Sequence, residues 1–107
     1  MAKKQAAEMT IKVDGEMYVW KLQRQPRWSS ERKGWEGMAI AVRHEEGQRE
    51  AVIEFPPGKL PAYGALLKAA NIDPKVVVRS IQSAIEAGWD PMSRGKTVNI
   101  VVDATGA

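Results

Sequence analysis

Arg24, Arg27, Trp28, Arg32, Lys33 and Trp35 crowd two indoles and four cations into one short stretch. Unpaired bases stack on indole faces and phosphates pair with guanidinium groups, so this composition fits single-stranded nucleic acid. The charge distribution adds weight. With Lys21 included and Glu31 subtracted, residues 21–33 carry +4, whereas the whole chain carries +3 and the remainder therefore −1. Neutralising about three phosphates would give a salt slope of only about −2, which describes weak, non-specific binding. A solvated basic loop whose tryptophans fold back onto a sheet edge accounts for the same composition.

The run Gly95-Lys96-Thr97 ends like a phosphate loop. A true one needs glycine five residues earlier, where Asp90 stands, and a strand-to-helix order. Here the predicted helix comes first, so an anion would face the negative end of its dipole. A nucleotide site is excluded. Arg94 and Lys96 remain candidates for an anion or an acidic partner group, against the plainer reading of a tight turn with two solvated cations.

His44 is the single histidine, followed by Glu45 and Glu46 on a predicted turn, and this spacing matches no helical zinc motif. No Gly-x-Ser-x-Gly elbow supplies a serine nucleophile for it. Glu50, Glu54 and Asp103 are carboxylates that could do acid–base work but read more simply as a solvated face. No residue is assigned as catalytic, cofactor-binding or metal-ligating. The leading expectation is a non-catalytic interaction module, able to self-associate, with a protein partner or a second copy as its ligand. Weak single-strand nucleic-acid binding through residues 23–35 and a small enzyme using carboxylates or Arg94 and Lys96 are the alternatives.

The elements that would position these residues follow from periodicity. Thr10 to Val13 alternates into Asp14-Gly15, a tight-turn dipeptide, and Met17 to Leu22 returns with aromatic and β-branched residues. Tyr18, Trp20 and Leu22 lie on one side of that strand, Met17 and Val19 on the other. Residues 25–34 read as a loop because of Pro26 and the paired serines. A third strand spans about 35–43, apolar on both sides and therefore inside the sheet. A fourth, 49–55, points Ala51, Ile53 and Phe55 inward. After Pro56-Pro57-Gly58, residues 61–70 suit a short helix.

A second helix begins at Pro74 with Asp73 as its cap and Ile72 stapled onto Val77. Its apolar face is Val77, Ile81, Ala84, Ile85 and Gly88. Gly88 should end it in the left-handed conformation, with Trp89 folding back near Ala84. A final strand, 96–103, has no partner that the sequence identifies.

The sum is an α+β fold: a mostly antiparallel sheet of about five strands, ordered ββββ-α(α)-β, with one or two helices packed on one face. At 107 residues and 44% hydrophobic content a single domain over 9–103 is expected, with a flexible arm at 1–8 and a tail at 104–107. Cysteine is absent, which excludes disulfides and thiolate chemistry, and no stretch has the apolar length of a membrane span or signal segment. A cytoplasmic protein is the resulting expectation. The segment Ala84-Ile85-Glu86-Ala87-Gly88-Trp89-Asp90-Pro91-Met92-Ser93-Arg94-Gly95-Lys96 resembles one found in short uncharacterised bacterial proteins. That resemblance implies a bacterial origin and a helix–turn–strand join, and brings no activity with it.

Overall fold

The first hairpin turns on Asp14 and Gly15, whose φ angles of 51° and 86° are the paired positive values of a two-residue hairpin turn. It joins β1 (Met9–Val13) to β2 (Glu16–Arg24), with Val13 opposite Glu16 and Met9 opposite Trp20. The computed structural model describes residues 8–25, 27–31, 34–56, 72–103 and 105–107, with the backbone alone at 27–29 and 34–36. The helix expected over 61–70 lies outside these residues.

Residues 25–34, expected to be a loop, contain a strand instead. β3 (Arg27–Ser29) pairs antiparallel with β4 (Gly34–Glu36) as a separate two-stranded ribbon. The third strand expected over 35–43 is therefore two strands, β4 and β5 (Ala39–His44). The break falls at Gly37, where a Cβ would stand 2.0 Å from the Phe55 carbonyl oxygen. Backbone approaches that closely only where no side chain intervenes.

β5 is the centre of a five-stranded sheet ordered β1-β2-β5-β6-β7, where β6 is Ala51–Glu54 and β7 is Val98–Val101. All neighbours are antiparallel except β6 and β7, which run parallel. A parallel pair needs a crossover, and α1 (Pro74–Glu86) lies within it. The architecture is α+β, a mostly antiparallel sheet with a single helix among the described residues.

The helix is fixed at both ends. The Asp73 carboxylate accepts from the Lys75 N–H at 2.9 Å, Pro74 takes the first turn, and Ile72 and Val77 are both buried around the cap. At the other end the Trp89 N–H donates to the Ala84 carbonyl and the Gly88 N–H to that of Ile85, each at 3.0 Å. Gly88 has φ 112°, completing a Schellman turn. The buried face is Val77, Ser80, Ile81 and Ala84. Ile85 was expected in that face and is exposed instead, while Ser80 is accommodated by donating its hydroxyl to the Val77 carbonyl at 2.8 Å.

Register sorts the sheet into two faces. The helix-covered face carries Val13, Tyr18, Trp20, Ile40, Val42, Ala51 and Ile53, which with Val77, Ile81, Ala84 and Trp89 belong to one core. The opposite face carries Met17, Val19, Lys21, Ala41, Ala39, Val52, Glu54 and Val101.

Candidate functional site

On the second face side chains from all five strands meet. Lys21, Ala41, Val52 and Asn99 form one row across four strands, and Arg24, Ala39, Glu54 and Val101 form the next. Ala39 and Ala41 are buried between larger neighbours, Met17, Val19 and Val52 are half-buried, and Val101 is 77% exposed. Lys12, Lys21 and Arg43 flank this apolar strip. No described helix or strand lies over it. α1 packs on the other side, against β1 and β6.

Arg24 is held in place at the edge of this face. A bulge between Leu22 and Arg24 shifts the register so that Arg24 stands opposite Ala39. Its guanidinium donates to the Gly37 carbonyl at 2.8 Å and reaches the Glu54 carboxylate at 3.5 Å. Its Nε is buried without an acceptor among the described residues. This arginine ties the ribbon's base to β6.

The ribbon brings Trp28 and Trp35 directly opposite each other, with Arg27 opposite Glu36 in the adjoining position. Arg32 and Lys33, the other two cations of the basic stretch, lie outside the described residues.

A polar group forms at one end of the helix-covered face. His44, buried at the end of β5, meets the Glu16 carboxylate through Nε2 at 2.7 Å. Its Nδ1 accepts the Glu46 N–H at 3.0 Å, which places the ring proton on Nε2 as a donor to Glu16. Both nitrogens are engaged, so neither is free to take a proton from a substrate. The ring stands edge-on to Tyr18 at 5.1 Å, and Tyr18 lies 6.1 Å from Trp89. Burial pushes the Tyr18 phenol above its ordinary range, and the charges of Glu16 and Asp14 push the same way. The Trp89 indole N–H is buried with no acceptor among the described residues. His44 was found in the sequence, but its partners Glu16 and Tyr18 were not. The signal available was parity: Glu16 and Tyr18 are two apart and share a face.

Arg94 and Lys96 are exposed on the turn between α1 and β7, and neither side chain bonds to a described residue. The turn is held by Arg49, which sequence reasoning passed over. Its Nε donates to the Lys96 carbonyl at 3.0 Å and its NH1 to the Ser93 hydroxyl at 3.3 Å. The carboxylates weighed for acid–base work do not converge. Glu54 serves Arg24. Asp103 accepts from the Thr105 hydroxyl at 2.6 Å, the Thr105 N–H at 2.9 Å and the Ala107 N–H at 3.0 Å. Those bonds, the hydroxyl first, hold its carboxyl below the ordinary range.

Asp14, Gln82, Ile85 and Glu86 line an open concavity of about 240 Å³. That is smaller than the roughly 300 Å³ at which ligand pockets begin, and none of the candidate site residues lines it. Among the described residues no three histidine, aspartate or glutamate side chains gather as a metal site, and no helix is long and apolar enough to cross a membrane. No family model, curated protein or solved structure matches the chain.

Proposed function

We propose that this chain is a non-catalytic protein-interaction module, cytoplasmic and bacterial, whose working surface is the sheet face opposite α1. One observation carries the reading: Met17, Val19, Ala41, Val52 and Val101 form a diagonal apolar strip across β2, β5, β6 and β7, flanked by Lys12, Lys21, Arg43 and Glu54, with no described helix or strand over it. Such an apolar centre with a polar rim is the composition of a protein-binding patch. Elsewhere Arg24, His44, Arg49 and Asp103 are bonded to other side chains or to backbone, which suits a scaffold.

A photo-crosslinking residue placed at Val19 or Val52 tests this in cells, with exposed Arg79 on the helix as the control position. A discrete protein adduct from the face and none from position 79 supports the reading. Equal adducts from both, or none from the face, overturns it.

A second reading has its own observation. The ribbon sets Trp28 opposite Trp35 next to Arg27, an arrangement suited to stacking one or two unpaired bases. Tryptophan quenching by a short oligonucleotide at about 50 mM salt, relieved at higher salt, supports it. Unchanged fluorescence at low salt removes it.

A further inference from the structure

We propose that two copies of the chain join edge to edge through β7, forming one continuous sheet of two copies; this goes beyond the interaction-module reading, because the contact is the sheet edge and not the open face.

β7 ends the sheet order, and among the described residues nothing pairs with its outer side. Its inner bonds are assigned: the N–H of Val98 reaches the Glu50 carbonyl and that of Val102 the Glu54 carbonyl, each at 3.0 Å. Strand alternation then turns the N–H and C=O groups of Asn99 and Val101 outward. Free edges of this kind are normally blunted by proline, lysine, a bulge or a cover. Thr97-Val98-Asn99-Ile100-Val101-Val102 contains no proline and no charge, and its register with β6 is unbroken. The opposite edge, β1, does carry such a residue in Lys12, exposed in mid-strand. Among the described residues the unprotected edge is therefore β7.

The edge fits a second copy of itself. An antiparallel two-fold pair keeps like faces together, so paired residue numbers must sum to an even value. The register that joins the outward groups sets Asn99 against the partner's Val101, Val101 against the partner's Asn99, and Ile100 against the partner's Ile100. About four main-chain hydrogen bonds result. The strand has a cation before it, Lys96, and an anion after it, Asp103. Antiparallel pairing brings unlike ends together: Thr97 falls opposite the partner's Asp103, with Lys96 one residue further out. Parallel pairing would put like charges side by side. The open faces of the two copies also become one surface twice as wide, with each exposed Val101 near its middle.

Sedimentation of the whole chain from about 10 μM to about 1 mM tests this, since small interfaces associate weakly. Dimer formation is expected, weakened at least tenfold by Asn99→Pro, which removes an outward N–H and leaves the bonds to β6 intact. Val19→Lys, on the open face away from the edge, should leave dimerisation unchanged. Hydrogen exchange of the unaltered chain supplies a readout that does not depend on a variant folding: the Asn99 and Val101 amides should slow with concentration while exposed amides elsewhere do not. A monomer throughout with rapid exchange at both amides overturns the edge pairing without touching the open-face reading. A dimer broken by Val19→Lys and not by Asn99→Pro also overturns it, and assigns self-association to the face.

Discussion

The His44 imidazole and the Glu16 carboxylate, 28 residues apart, meet at 2.7 Å across the β2–β5 ladder. The contact closes the end of the core beside Tyr18, and its removal should register as lost stability. His44→Ala forfeits the Glu16 bond, the Glu46 N–H bond and the edge-on Tyr18 contact together. A loss of about 2–3 kcal/mol is expected from a buried ring with these partners. Glu16→Gln keeps an acceptor oxygen and should cost about 1 kcal/mol or less, because the glutamate side chain is mostly solvated. Denaturant midpoints of the two variants check the order. Equal losses would mean that the charge, and not the ring, carries the contact.

The α1 terminus makes a second test. Gly88 has φ 112°, a backbone state costly to any residue with a Cβ, although no neighbour occupies the space. Gly88→Ala should lower stability by about 1–2 kcal/mol from backbone strain alone. Trp89→Ala should cost about 3–5 kcal/mol, because the indole is buried between Tyr18 and the helix end. Trp89→Phe should recover part of this, since the indole N–H has no acceptor to lose among the described residues. If the phenylalanine variant were no more stable than the alanine one, packing of the ring against Tyr18 and the helix end would not be the source of the loss.

Acid titration isolates Asp103. Its folded carboxyl is held below the ordinary range by hydrogen bonds from Thr105 and Ala107. A lowered folded value contributes stability above the unfolded carboxyl range, and that contribution disappears as pH falls through the folded value. Asp103→Asn should therefore be less stable than the parent at neutral pH, and the two melting temperatures should converge toward acid. A gap that stays constant from about pH 7 to about pH 2 would exclude the carboxylate as its source.

The elements that sequence displayed are those whose determinants are local. Asp14-Gly15 sets its turn through the φ preferences of two adjacent residues, and Asp73-Pro74 and Gly88-Trp89 do the same for the helix ends. The central place of β5 was legible because Ala39, Ile40, Ala41 and Val42 leave no polar side to face water. What was not legible depends on contacts between distant residues. Three-residue strands beside Pro26 have too few positions to show alternation, so the β3–β4 ribbon was hidden. The break at Gly37 is dictated by Phe55, and the parallel seat of β7 by a crossover of more than forty residues. Arg49 reads as one more surface cation until the turn 93–96 is folded onto it. Among the candidate site residues, Arg24 changes its meaning most: a charge assigned to the ligand side is bonded to Gly37 and Glu54.

The chain's last described segment gives the final prediction. Expected as a tail, residues 105–107 return to the helix: Ser83 donates its hydroxyl to the Gly106 carbonyl at 2.8 Å, and Gly106 is buried. A Cβ on Gly106 would stand 2.6 Å from the Val76 carbonyl oxygen and 3.0 Å from the Ser80 nitrogen, with φ at 94°. Both neighbours are helix backbone and cannot yield, so Gly106→Ala must lift the segment off α1. The segment's hydrogen bonds to Asp103 are local, so undocking limits the stability loss to about 1–2 kcal/mol. Ser83→Ala removes one hydrogen bond without a clash and should cost about 1 kcal/mol with the segment still seated. Exchange of the Ala107 amide, which donates to Asp103, separates the two: fast in Gly106→Ala, slow in Ser83→Ala. Slow exchange in both would show that the turn around Asp103 holds its shape without the helix beneath it.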